Sequence, residues 1–68
     1  MSGTLAQIAR AQNEIKANNA EIGSLYASVS GNVSLLSDAE KNRINSLQSQ
    51  NSQLQEQVSL YERIAQTQ

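Results

Sequence analysis

Apolar residues recur three and four apart along nearly the whole chain, a spacing that serves a helix with one buried stripe. With Leu5 at position a and Ile8 at position d of a seven-residue repeat, the d positions are Ile8, Ile15, Ile22, Val29 and Leu36, all apolar. The a positions are Leu5, Gln12, Asn19, Tyr26 and Val33. The frame then slips, because its next positions are Glu40 and Arg43. A second frame starts with Ile44 at a and takes in Leu47, Asn51, Leu54, Val58, Tyr61 and Ala65. A four-residue insertion separates the two frames. In one unbroken helix it is a stutter that unwinds a left-handed supercoil locally; otherwise it marks a break between two helices.

Few other sources of stability are open to such a chain. A single core in 68 residues rarely supplies more than about 3–5 kcal/mol. There is no Cys and no His, which removes disulfides, Cys/His zinc sites and an imidazole base. Association with other helices remains. The only aromatic residues are Tyr26 and Tyr61, which suits a narrow seam better than a rounded core. The net charge of −1 is scattered, so no basic face is expected for nucleic acid. No apolar run approaches the ~20 residues of a membrane span, and no signal-peptide core follows Met1, so a cytoplasmic protein is expected. Glu14, Glu21 and Glu56 have no second acid one turn away and read as solvated residues. The expectation is a non-enzymatic protein without metal or cofactor.

Whether the chain is one helix or two turns on Ser28 to Glu40. Thr4 with Gln7 reads as a helix start, leaving Met1 to Gly3 frayed, as are Thr67 and Gln68 at the other end. Proline is absent, so nothing forces a stop. Val29, Val33 and Leu36 carry the first stripe straight through the doubtful stretch. Asp38 with Lys41 and Glu40 with Arg43 are opposite charges one turn apart, as on an exposed helix surface. These features favour an all-α fold with one long coiled-coil helix over about residues 4–66, carrying a stutter or break near 30–40. Against it, Gly31 costs about 1 kcal/mol inside a helix, Gly31-Asn32 suits a C-terminal cap, and Ser37 to Glu40 has capping-box spacing. On that alternative the chain breaks at 30–37 into an antiparallel hairpin of roughly 27 and 30 residues. Two such hairpins would make a four-helix bundle.

The seam residues bear on assembly. Ile at successive d layers disfavours a parallel dimer, and Tyr26 fits the wider axis of three helices. Gln12, Asn19 and Asn51 read as polar layers that fix register by pairing with their symmetry mates. A parallel trimer is the preferred homo-oligomer. Leu25, Leu35 and Leu60 lie off the stripe and read as contacts with a further protein partner.

Ile15-Lys16-Ala17-Asn18-Asn19-Ala20-Glu21-Ile22-Gly23-Ser24-Leu25 resembles segments of trimeric tailed-phage fibres, in whisker fibres (fibritin) and in tail needles. Gly31-Asn32-Val33-Ser34-Leu35-Leu36 is similar to a fibritin segment that lies in continuous coiled coil. The resemblance spans about twenty residues and includes neither fibritin's β-rich cap nor a receptor-binding head. It implies a virion protein, assembled in the host cytoplasm, that braces or connects larger structural proteins. The alternative from another class is a small helical-hairpin module that binds and regulates a host or phage protein.

Overall fold

A computed structural model describes residues 2–67; Met1 and Gln68, both expected to fray, lie outside the described residues. The chain forms two helices, α1 (Ser2–Ser28) and α2 (Asp38–Gln66), joined by a link that holds one short 3-10 turn, Val33–Leu35. The helices lie antiparallel and pack on each other in a body measuring 49 × 14 × 14 Å. One unbroken helix over residues 4–66 would be about 95 Å long. The long coiled-coil helix is therefore overturned in favour of the hairpin, and the fibre-like resemblance fails with it. What that resemblance read as continuous helix, Gly31 to Leu36, is where the chain turns back.

The physical reason lies in the link's own hydrogen bonds. Gly31 N–H donates to the Tyr26 carbonyl at 2.8 Å and Ser30 N–H to the Ala27 carbonyl at 3.1 Å. This nested pair is the Schellman ending of a helix, in which the residue after the cap turns left-handed. That residue is Ser30, at φ 53°, with Gly31 following at φ 80°. Glycine is the usual occupant of such a position; serine there costs about 1 kcal/mol or more. Asn32 then caps the short turn, its side-chain oxygen accepting from Ser34 N–H at 3.2 Å and from the Ser34 hydroxyl at 2.6 Å. Ser37 caps α2 reciprocally. Its hydroxyl accepts from Glu40 N–H at 3.1 Å, while the Glu40 carboxylate accepts from Ser37 N–H at 2.9 Å. A serine cap of this kind contributes roughly 1 kcal/mol.

These closures outweigh the seam periodicity that runs through Val29, Val33 and Leu36. Leu36 still finds cover, 4% exposed, and plugs the closed end of the hairpin, whereas Val33 is left 48% exposed. At the other end α1 is already helical at Ser2, so Thr4 stands inside the first turn rather than at a cap. Asp38 and Glu40 in the first turn of α2, and Arg63 in its last, oppose the helix dipole favourably. The described part of α1 has no acid in its first turn and no base in its last. Its stability rests on what it packs against.

Candidate interaction surface

The surface is best understood from the seam outward. Along α1 and just past its end, Thr4, Ile8, Ala11, Ile15, Asn18, Ile22, Leu25 and Val29 are less exposed and are separated by alternating steps of four and three, with half-buried Glu21 and Tyr26 beside this stripe. Read backwards, α2 shows the same steps at Ala65, Tyr61, Val58, Leu54, Asn51, Leu47, Ile44 and Glu40. Asn18 donates to the Asn51 side-chain oxygen at 2.9 Å, which fixes the register between the two series. From that bond the stripes pair in layers: Ile8 with Tyr61, Ala11 with Val58, Ile15 with Leu54, Ile22 with Leu47, Leu25 with Ile44. Small Ala11 opposite Val58 lets the helices close there, and both are buried. The deepest side chain is Leu47, 1% exposed.

Asn51 also donates to the Asn19 side-chain oxygen at 2.9 Å, so three amides share the polar layer. Every buried side-chain nitrogen or oxygen among the described residues has a partner. In a seam otherwise built of apolar pairs, an amide facing an amide in a single layer specifies register.

The residues expected in an oligomer seam thus distribute in two ways. Ile8, Ile15, Ile22, Val29, Leu36, Ile44, Leu47, Asn51, Leu54, Val58 and Tyr61 face the chain's own other arm or close its turn end. Leu5, Gln12, Asn19 and Val33 are exposed, and Tyr26 is half-buried beside the seam. A parallel trimer required these stripes to face other chains; they face each other within one chain, and that overturns the trimer, the coiled-coil fibre and the phage-virion reading built on it. Of the three leucines read as partner contacts, Leu25 lies half-buried in the seam, whereas Leu35 and Leu60 are 66% and 55% exposed. The matching triplets Ser24-Leu25-Tyr26 and Ser59-Leu60-Tyr61 therefore sit in different phases: leucine inward in one, tyrosine in the other.

Between the two ends both flanks of the seam are polar, apart from the half-buried Tyr26. On one side Gln7, Glu14 and Glu21 of α1 run beside Arg43, Gln50 and Gln57 of α2. Arg43 reaches Glu21 in a two-pronged ion pair, Nε to one carboxylate oxygen at 2.6 Å and Nη2 to the other at 2.9 Å. On the other side stand Gln12, Asn19, Gln48, Gln55 and Glu62.

Exposed apolar side chains collect instead at the two ends. At the open end Leu5, Leu60 and Ile64 are 66%, 55% and 44% exposed, flanking the layers Thr4/Ala65 and Ile8/Tyr61. At the turn end Val33 and Leu35 stand out. Ile64 falls outside the heptad stripe and is not among the residues expected to contact a partner, though its place one turn from Leu60 on α2 is the sequence signal that links the two.

The hydrogen bond from Arg43, aided by its charge, holds the Glu21 carboxyl below its ordinary range and raises the guanidinium in turn. The Ser37 N–H, followed by its hydroxyl, does the same for Glu40. Both acids are more readily ionised in the folded chain than in the unfolded one. Their contribution is complete above the unfolded carboxylate value, about 4.3, and is lost as pH falls through the lower folded values. The melting temperature is therefore expected to be level near neutrality and to drop below about pH 4. Glu21→Gln should shrink that drop when melts are followed by circular dichroism; an unchanged acid profile would remove Arg43 as its cause.

Among the described residues no group of three or more His, Cys, Asp or Glu comes together to hold a metal. No helix there is long and apolar enough to cross a membrane. A shallow recess bounded by Ser52, Gln55, Glu56, Ser59, Leu60 and Arg63 lies on the outward surface of α2 alone, with no second element to enclose a ligand. Compared with protein-family models, curated proteins and solved structures, the chain matches none of them.

Proposed function

We propose that the chain is a non-catalytic binding module, a helical hairpin that docks end-on against another protein and regulates it. The observation that carries this reading is the position of the apolar side chains that the fold itself does not use. Leu5 and Ile64 flank the seam on opposite sides at the open end, with Leu60 one turn from Ile64 toward the outer face of α2, so a partner that wraps this end covers them together with the half-buried Ile8 and Tyr61. The polar flanks offer no comparable patch along the hairpin's length. Docking at the tip buries the exposed apolar area without desolvating Glu21, Arg43 or the glutamines. A leucine and an isoleucine one turn apart are a compact anchor for a groove.

A photoreactive amino acid at Leu60 tests this directly. In extract of the source cells it should give one dominant adduct with another protein, while the same group at Ser49, on the outer face of α2, gives none. Excess unlabelled chain should compete the adduct away, and excess chain carrying Leu5→Ser and Ile64→Ser should not. Equal adducts from both positions, or equal competition by both chains, would sink the proposal.

A further inference from the structure

We infer that the hairpin exchanges arms with a second copy of itself, α1 of each copy packing on α2 of the other in the register the closed hairpin uses. The first support is a symmetry in the seam that the closed form leaves incomplete. The inward residues step identically from either end, and spacings of three and four carry on through the link as Val29, Val33, Leu36 and Glu40, with a second step of four following the last one on each side. Val33 stands four residues beyond Val29, and Leu36 four residues before Glu40. The mirror centre therefore falls between Ser34 and Leu35. In the closed hairpin these two residues sit in the turn, where Val33 and Leu36 cannot form a layer; Leu36 is buried and Val33 stays 48% exposed. With the link opened and its inward spacing restored, a two-fold axis through that centre sets Val33 of each chain against Leu36 of the other. Isologous pairing of this kind generates a closed dimer.

The second support is strain confined to the link. Reversal of the chain requires Ser30 at φ 53° and Gly31 at φ 80°. Short, strained hinges are where arm exchange starts. Opening releases the left-handed serine, and every inter-arm layer, including Asn18 with Asn51, re-forms with the second copy. The third support concerns what else two copies can do. The flanks of the closed hairpin are polar and the outer face of α1 offers only small apolar side chains such as Ala6, Ala9, Ala20 and Ala27, so side-by-side pairing has little apolar area to bury, whereas exchange brings the exposed Val33 into an apolar layer on each side of the centre.

The test uses the full chain, purified alone, which keeps its outcome separate from the docking proposal. Gly31→Ala places a Cβ in open space but at a φ that alanine rarely adopts, so it penalises the closed turn and little else. Light scattering should show its dimer dissociation constant lowered roughly tenfold or more relative to the parent, and Ser30→Gly should move it the opposite way. An Asn18→Cys/Asn51→Cys pair, oxidised in the dimer fraction, reports the exchange. On a non-reducing denaturing gel, exchanged arms give double the chain mass and closed hairpins give single mass. Single mass in that fraction, or a Gly31→Ala chain that remains folded and monomeric, would overturn the inference. If circular dichroism shows Gly31→Ala unfolded, the same cysteine pair in the parent link, refolded at high concentration, decides by the same masses.

Discussion

Leu47→Ala should abolish most of the chain's helical signal at room temperature, while Leu60→Ala leaves the melt within a degree or two of the parent. Leu47 is 1% exposed and shares a layer with Ile22 in the register that the Asn18–Asn51 bond sets. Truncating such a leucine costs about 2–5 kcal/mol through lost burial and the cavity left behind. A chain of this length holds a total reserve of about 3–5 kcal/mol, and only five of the described residues are buried. One substitution therefore consumes most of the margin. Leu60, at 55% exposure, has little burial to lose. Thermal melts by circular dichroism read both variants, and similar losses from the two would mean that the seam is not where the stability resides.

The second large effect runs in the opposite direction. Replacing Asn18 and Asn51 together with Leu should stabilise the hairpin by roughly 1–3 kcal/mol, because a partly buried polar layer becomes an apolar pair like its neighbours. Asn51→Leu alone should destabilise it by about 1–2 kcal/mol, since the Asn18 amide then faces a leucine. The two single changes must fail to add, and a double-mutant cycle in urea measures the failure. The double variant is also expected to lose its unique register. With every layer apolar, the arms can slip by one repeat, about 10 Å along the axis. Labels at Gln12 and Gln57, which stand at the same height in the parent, should then give a broadened or doubled distance distribution. Additive energies together with a single sharp distance would show that the amides do not specify the pairing.

The seam of α2 was legible in the sequence at the phase the structure uses, with Ile44, Leu47, Asn51, Leu54, Val58, Tyr61 and Ala65 inward. That of α1 was legible by half. An isoleucine every seventh residue marks one row, but the second row can lie three residues before each isoleucine or three after. Leu5 and Tyr26 drew the reading to the first choice; the structure takes the second, Ala11, Asn18 and Leu25. What decides is complementarity with α2: a small residue for Val58, an amide for Asn51 and a leucine for Ile44. That information is held by the other helix, and periodicity within α1 does not contain it. The turn was harder still. Its cues at Gly31 and at Ser37 with Glu40 were visible, but the left-handed position fell to Ser30, a residue type with little preference for it. Competing against those cues was a stripe that runs through the turn without losing step. As for the exposed tip, Leu60 stands off the stripe in the sequence itself, whereas Leu5 falls in step with the isoleucines and so looks like a seam residue.

The amide layer divides the hairpin into two unequal parts. Between it and the turn lie Ile44, Leu47 and Leu36, all buried, with residues close in sequence brought together by a short loop. Beyond it only Ala11 and Val58 are buried, while on both sides of the layer other large side chains, Ile22 and Leu25 as well as Ile8 and Leu54, are half-covered. Loop closure costs least entropy at the turn, so folding is expected to begin there and to proceed as a zipper toward the termini. The open half is last to form and first to fray, since terminal and weakly packed segments open at the lowest free energy. The end that carries Leu5, Leu60 and Ile64 is thus also the end expected to open most readily while the turn-side half stays zipped.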